Sequence, residues 1–507
     1  MARLIGVDVG GTFTDVVVLD GGRVEGRKVP TSPDQSDGVV EAVAGDPDDT
    51  FLHGTTAATN ALLEERGARV VLVTGAGYED AIEIARQDRP SLYDSLADRP
   101  RPLVEREDRL GFDGDSEALV AAVAQAEPEV VAISLLGSHA DPLPEADLDG
   151  RLSDMLAVPV LRSSLVSPEF REYERTATTA LAAYLTPSVA HYLASLEERL
   201  PMRHRFIMTS SGGLLPFANV GGGAGRLVLS GPAGGAVAAA ALGQHHGYET
   251  VLAFDMGGTS TDVSRITGGA PSVVSGHTVG GRVNRVPAIP IHTIGAGGGS
   301  IGWLDPGGAL RVGPRSAGAH PGPAAYGGGG TEPTVTDANL VAGHIPVDLA
   351  LGGSVRLDVE LAQAAIARLG AAAGLDPAAA AEGMLEVVDS HMEHALRAVS
   401  VEEGADPREA ALVAFGGAGG LHATRLARRL GMHIVLVPPH SGVFSALGLL
   451  LAAPRSDVAR TLMTAEGEDD LAADRHELET TVFARYRETF GHEPSVVTTG
   501  ADVRYLG

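Results

Sequence analysis

The segment Asp8-Val9-Gly10-Gly11-Thr12-Phe13-Thr14-Asp15-Val16 recurs as Asp255-Met256-Gly257-Gly258-Thr259-Ser260-Thr261-Asp262-Val263, with seven of nine positions identical. Paired glycines let a backbone turn sharply and let an anion approach without meeting a Cβ. Successive N–H groups then converge on one concavity, to which the Thr12 and Thr259 hydroxyls add donors. Asp8 and Asp255 each follow a short apolar run, residues 4–7 and 251–254. A carboxylate at such a strand end can hold Mg2+ directly or through water. One such turn would say little. Two with matched flanks point to duplicated lobes closing on one polyphosphate. Gly10, Gly11, Thr12, Gly257, Gly258 and Thr259 are then phosphate ligands, and Asp8 and Asp255 are metal ligands.

A third glycine loop joins them. Residues 411–415 form an apolar run leading into Gly416-Gly417-Ala418-Gly419-Gly420, and a helical pattern follows over 421–430. Strand, glycine loop and helix N-terminus bring a nucleotide close to backbone, so Gly416, Gly417 and Gly419 are read as nucleotide contacts. Other nucleotide folds do not fit. The single lysine, Lys28, lies in Arg27-Lys28-Val29, which excludes a P-loop and a protein-kinase site. Residues 295–299 lack the last glycine of a dinucleotide fingerprint.

An α/β framework must position these loops. Strand-like runs cover 70–73, 130–135, 206–209 and 433–437. Helix-like runs cover 56–65, 172–199, 361–373 and 378–401. The long helical run at 172–199 suggests a passage between lobes, giving a first lobe over 1–170 and a second over 171–490. His391 and His394 read as a surface pair rather than metal ligands, and the acidic run 466–470 as a solvated helix start.

At 507 residues more than one domain is expected. The formal charge of −27, from 38 basic and 65 acidic residues, argues against nucleic acid as a partner. The absence of cysteine excludes disulfides, thiol catalysis and Cys-ligated metal. The first glycine motif begins too early to leave room for a signal peptide, and no apolar stretch reaches the roughly 18 residues that span a bilayer. A cytoplasmic protein with no membrane partner is expected. Thirty-seven of the 38 basic residues are arginine, a bias that genome composition or salt adaptation would produce.

Longer signatures then become specific. They include His53-Gly54-Thr55-Thr56 with Asn60, the run 83–87 around Arg86, and Ser167-Pro168-Glu169-Phe170-Arg171-Glu172. Further on come Ser230-Gly231-Pro232-Ala233-Gly234-Gly235, the run 292–300, Thr331-Glu332-Pro333-Thr334 through Leu340, and Phe444-Ser445-Ala446-Leu447-Gly448. With these the chain resembles the A-type subunit of the hydantoinase/oxoprolinase family, relatives of the acetone and acetophenone carboxylase subunits. The resemblance implies an actin-like, hexokinase-type fold, ATP with Mg2+, and phosphorylation of an amide or ketone oxygen. The expected enzyme is an ATP-dependent hydrolase of cyclic amides of the hydantoin or 5-oxoproline type. The alternatives are a ketone carboxylase subunit or an actin-like ATPase switch.

On the matching positions, His53 and Arg171 are expected to join Asp8 and Asp255 in catalysis, and Thr55, Thr56, Asn60 and Arg86 to meet substrate. A B-type subunit is the implied partner, with a homodimer inside a hetero-oligomer as one arrangement. Departures from the pattern stand at Ala325, where a cysteine is expected, at His320 and at Gly420. Residues 491–507, with alternating Val503 and Tyr505, are expected to open a further C-terminal domain that is truncated or separately encoded.

Overall fold

The computed structural model describes residues 2–501 apart from 33, 95, 349, 352–354 and 463–467. The strand pattern at Val503 and Tyr505 lies outside the described residues, as do positions 466 and 467 of the acidic run. Positions 468–470 open the helix Glu468–Phe490.

The first lobe is built on a six-stranded sheet in the order Leu214–Pro216, His204–Met208, Thr50–Gly54, Leu4–Val9, Phe13–Asp20, Arg23–Pro30. The second is built on Ala270–Pro271, Thr261–Thr267, Thr250–Met256, Ala411–Phe415 and Ile434–Leu436, with His292–Ile294 also pairing Thr261–Thr267. Each sheet contains an antiparallel hairpin whose first strand also pairs with a parallel neighbour: Thr50–Gly54 in one, Ala411–Phe415 in the other. The registers match. Asp8 faces Asp15 and Val9 faces Thr14; Asp255 faces Asp262 and Met256 faces Thr261.

Alternation explains why these segments are strands. In Leu4–Val9 the residues Ile5, Val7 and Val9 are buried while Asp8 is only partly so, as expected where one face meets the core. The core of this lobe packs those valines and Phe51 against Leu181, Leu185, Val189, Leu193 and Leu196 of the helix Glu172–Arg199. That helix therefore belongs to the first lobe. The strands 204–216 also return to the first sheet, so the division expected at residue 170 does not follow the sheets. The second lobe's core sets Leu252, Phe254 and Met256 against Met384, Leu385, Val388 and Leu426.

A separate four-stranded parallel sheet, Arg109–Phe112, Val70–Gly75, Val130–Ser134, Val160–Arg162, has its own core around Val71, Val73, Val131 and Ile133. It joins the long helix through Arg175, fully buried, which donates to the Leu135 carbonyl at 2.7 Å and Ser163 Oγ at 3.0 Å and pairs with Glu172.

Two helices bind the lobes together. Ser230–His245 and Phe444–Leu451 cross so closely that a Cβ on Gly234 would stand 2.7 Å from the Ser445 carbonyl oxygen, and one on Gly448 would collide with the Gly234 carbonyl. The glycines of two sequence signatures thus serve backbone-to-backbone packing. A Cβ on Gly6 would meet the Ala446 carbonyl at 2.8 Å, so Phe444–Leu451 also lies on the first hairpin. Among the described residues no single helix is long and apolar enough to cross a membrane.

Candidate active site

The two hairpin tips meet across a cavity of about 1240 Å3 lined by both lobes. Their turns close identically, Gly10 N donating to Phe13 O and Gly257 N to Ser260 O, each at 3.0 Å. The apposition is reciprocal: a Cβ on Gly258 would stand 3.0 Å from Thr12 Oγ1, and one on Gly11 would stand 3.8 Å from Thr259 Oγ1. Each tip is braced from behind. Thr31 donates from N to Thr12 O at 3.0 Å and from Oγ1 to Gly10 O at 2.9 Å. On the other side, Gly298 N donates to Gly257 O at 3.0 Å and Gly299 N to Gly258 O at 2.7 Å. The glycine run at 295–299 is therefore a strut for the second hairpin. It is held in turn by Thr336, whose N and Oγ1 both donate to Gly298 O.

Four aspartates gather at this junction. Burial, then the nearby Asp15 and Asp255 charges, raise the Asp8 carboxyl to about 7. Burial and Asp255 raise Asp262 likewise to about 7, and burial raises Asp15 to about 6 against the opposing pull of Lys28. Asp255 is also pushed up by burial, with a hydrogen bond from Ser445 Oγ at 2.9 Å to its Oδ2 drawing it back. Asp8 Oδ1 is buried with no hydrogen-bond partner, closed in by Gly54 and Gly231, where Cβ atoms would stand 2.5 and 3.2 Å away. An orphaned carboxylate oxygen beside a second carboxylate suits an oxygen-ligated divalent cation, which relieves both repulsion and desolvation. Magnesium fits these residues.

The third loop lies alongside. Gly416, at φ +80°, would drive a Cβ into Asp255 and the Met256 carbonyl, so only glycine serves there. Gly416, Gly417 and Ala418 line the cavity, while Gly419, the buried first residue of the helix Gly419–Leu430, does not. Of the expected substrate residues, Thr55, Thr56 and Asn60 line the cavity. Thr55 Oγ1 accepts from Ala57 N at 3.0 Å, and Asn60 Nδ2 donates to Thr56 Oγ1 at 3.3 Å.

Three expected residues stand elsewhere. His53 is fully buried, its Nδ1 donating to Val7 O at 3.0 Å and its Nε2 accepting from Tyr192 OH at 2.8 Å, between Phe51 and Phe217. Burial holds its pKa down to about 4. It fixes strand Thr50–Gly54 to Leu4–Val9 and does not reach the cavity. Arg86 makes a two-pronged pair with Glu174, at 2.9 and 2.6 Å. Arg171 faces the same Glu174 at 3.7 Å and lies over the Phe170 ring. Arg86 ties the chain beyond Val70–Gly75 to the long helix, whereas the contacts of Arg171 stay at that helix's own N-terminus; neither lines the cavity. Ala325 is buried among Leu340, Ile345 and Leu357, so the position of the expected cysteine is a packing site.

Sequence reasoning passed over three residues of the junction. Asp15 and Asp262 were inside the repeat itself, and their identity in both copies was the available signal. Ser445 lay in a quoted signature, but nothing in one dimension placed it against Asp255.

Residues 4–156 match the family model of the hydantoinase/oxoprolinase N-terminal region, and residues 175–458 that of hydantoinase/oxoprolinase. The gap between the matches spans the expected division at 170, although the sheets divide later. Caprolactamase subunit alpha of Pseudomonas jessenii is 36% identical, over 90% of this chain and 71% of that protein. Acetophenone carboxylase gamma subunit of Aromatoleum aromaticum is 33% identical, over 88% and 67%. 5-oxoprolinase 1 of Arabidopsis thaliana is 32% identical, over 99% of this chain and 46% of that longer protein. Among solved structures, the ATP-dependent caprolactamase of Pseudomonas jessenii superposes with a TM-score of 0.83 at 33% identity, and a nucleotide-free acetone carboxylase with 0.78 at 26%; each match covers 96% of this chain and 77% of the other.

Proposed function

We propose a function from one premise: the chain belongs to the hydantoinase/oxoprolinase family. It is an ATP-dependent enzyme subunit of actin-like build that phosphorylates the carbonyl oxygen of a cyclic amide and so opens the ring. The observation that carries this reading is the reciprocal apposition of two matched hairpin tips over paired aspartates. Amides of Gly10, Gly11, Gly257 and Gly258, with the Thr12 and Thr259 hydroxyls, hold the phosphates, and Gly416 and Gly417 run beside the nucleoside. Asp8 and Asp255 would hold magnesium, which when bound would neutralise phosphate charge.

Thr55, Thr56 and Asn60 face the acceptor and orient its carbonyl toward the terminal phosphorus. The carbonyl oxygen forms a bond to that phosphorus as the bond to the bridging oxygen breaks, and the nucleoside diphosphate departs. Water then adds to the activated carbon, the ring C–N bond breaks, and a second water releases phosphate. One lactam, one ATP and two waters give an amino acid, ADP and phosphate. A partner of the B type is expected to share the hydrolytic half, since two relatives are themselves named as subunits.

The second reading is a ketone carboxylase subunit, favoured by the acetophenone carboxylase relative and the acetone carboxylase neighbour. Phosphate release from Mg-ATP should be followed with caprolactam, 5-oxoproline, hydantoin and N-methylhydantoin, and separately with acetone plus bicarbonate. Each is run with and without a B-type subunit. Stimulation by a cyclic amide supports the hydrolase. Stimulation only by ketone with bicarbonate, and labelled carbon entering an organic acid, replaces it with the carboxylase.

A further inference from the structure

We propose, on the reading of this cavity as an ATP site, that Lys28 is a catalytic residue that neutralises the terminal phosphate and makes the two matched hairpins unequal. At 37 positions a permanent positive charge is arginine; lysine is kept at one, and that one lines the cavity. Guanidinium is a planar fork suited to carboxylates, whereas ammonium is a compact point charge on a flexible stem. Pairing with Asp15, which Lys28 does here, could be done by either. Only the second task, reaching a phosphate from a confined place, asks for lysine. The place is confined: the Phe13 ring centroid is 5.2 Å from the Lys28 nitrogen, and a Cβ on Gly442 would stand 3.8 Å from Lys28 Cε.

The strand registers show what is special about position 28. Asp15 faces Lys28 across its hairpin's outer strand, and Asp262, its counterpart, faces Thr293. Thr293 Oγ1 donates to Asp262 at 2.6 Å. The duplication thus holds for the aspartates and breaks at the residue opposite them, cationic in one lobe and neutral in the other. Among the described cavity-lining residues, Arg27 and Lys28 alone carry a permanent positive charge, and the Arg27 guanidinium donates to the Ala42 carbonyl. Lys28 is left as the cation that faces the phosphates.

The terminal phosphate accordingly lies on the first-lobe hairpin, with the rest of the polyphosphate toward Gly257 and Gly258. As the acceptor oxygen bonds to phosphorus and the bridging P–O bond breaks, the ammonium offsets the charge on the moving group. No proton is transferred by Lys28.

A single lysine makes the test direct. An ATP derivative acylated on its terminal phosphate can modify one lysine side chain: nitrogen attacks the acyl carbon, the C–O bond to phosphate breaks, ATP leaves and the proton goes to solvent. Peptide mass analysis should find the acyl group on Lys28, reduced about ten-fold by excess Mg-ATP at competing occupancy. An AMP derivative acylated on its only phosphate should leave Lys28 unmodified. Equal labelling by both derivatives, or labelling of the N-terminal amine alone while calorimetry shows ATP bound, overturns the role of Lys28 and leaves the ATP reading standing. Calorimetry that finds no ATP binding overturns both. Lys28→Met and Lys28→Arg should each lose about 100-fold or more in ATP turnover with ADP affinity unchanged. A purely structural pair with Asp15 is restored by Lys28→Arg, so wild-type turnover in that variant overturns the proposal.

Discussion

Asp8 has one carboxylate oxygen buried and unpartnered and three other carboxylates close enough to raise its pKa, so it is kept at a cost to stability. Asp8→Asn removes the charge and keeps the shape. Mg-ATP turnover should fall by about 1000-fold or more, while the apo protein's thermal midpoint holds or rises by a few degrees. A variant that turns over normally would remove Asp8 from the chemistry. His53 makes the opposite case, a residue whose type suggests chemistry and whose place denies it. Its folded pKa is about 4 against an ordinary 6.5. Below pH 6.5 the unfolded chain takes up the proton and the folded chain does not, so stability falls from pH 6.5 down to about 4 by up to about 3 kcal/mol. His53→Gln should flatten that part of a denaturation-versus-pH curve without a selective loss of ATP affinity. The sequence could not separate His53 from Thr55 because both lie in one signature. The difference is made where the strand ends at Gly54: His53 points into the core and the next turn opens onto the cavity. Arg86 was unreadable for another reason, since its partner Glu174 is 88 residues away, whereas Arg171 makes a local i,i+3 pair with the same carboxylate.

Local elements were legible and their assembly was not. The hairpins could be read because each closes within a few residues of itself, and the helix Glu172–Arg199 agrees with its pattern end to end. The sheets do not follow a division at residue 170 because strands 204–216 return to the first sheet past an entire intervening parallel sheet, and nothing in a local window reports such a return. Gly234 and Gly448 stand in the sequence only as parts of two separate signatures. In the structure Gly234 and Gly448 let Ser230–His245 and Phe444–Leu451 touch backbone to backbone, while Ser445 on the second helix reaches Asp255. Gly448→Ala forces a methyl into the Gly234 carbonyl. It should cost about 1–3 kcal/mol in denaturant unfolding and lower turnover by displacing Ser445. If stability is unchanged, the two helices do not form a tight backbone-to-backbone joint.

The whole molecule carries a formal charge of −27, yet its proposed ligand is an anion. Selective attraction must then be local, from hairpin amides, bound magnesium and one lysine, against a long-range field of the wrong sign. Screening acts unequally on these two contributions. At 0.1 M ionic strength the Debye length is about 10 Å, so the field of distant surface carboxylates is damped, while contacts inside a partly enclosed cavity are screened far less. Association of Mg-ATP should therefore quicken as monovalent salt rises from about 10 to 150 mM, by roughly two- to five-fold, opposite to the slowing seen where a basic surface steers its ligand. Dissociation, governed by the enclosed contacts, should change little. Stopped-flow measurement with a fluorescent ATP analogue at fixed free Mg2+ resolves the two rates. An association rate that falls with salt would mean that the cavity's own field already dominates at a distance, and the acidic surface would then have no part in how this protein meets its nucleotide.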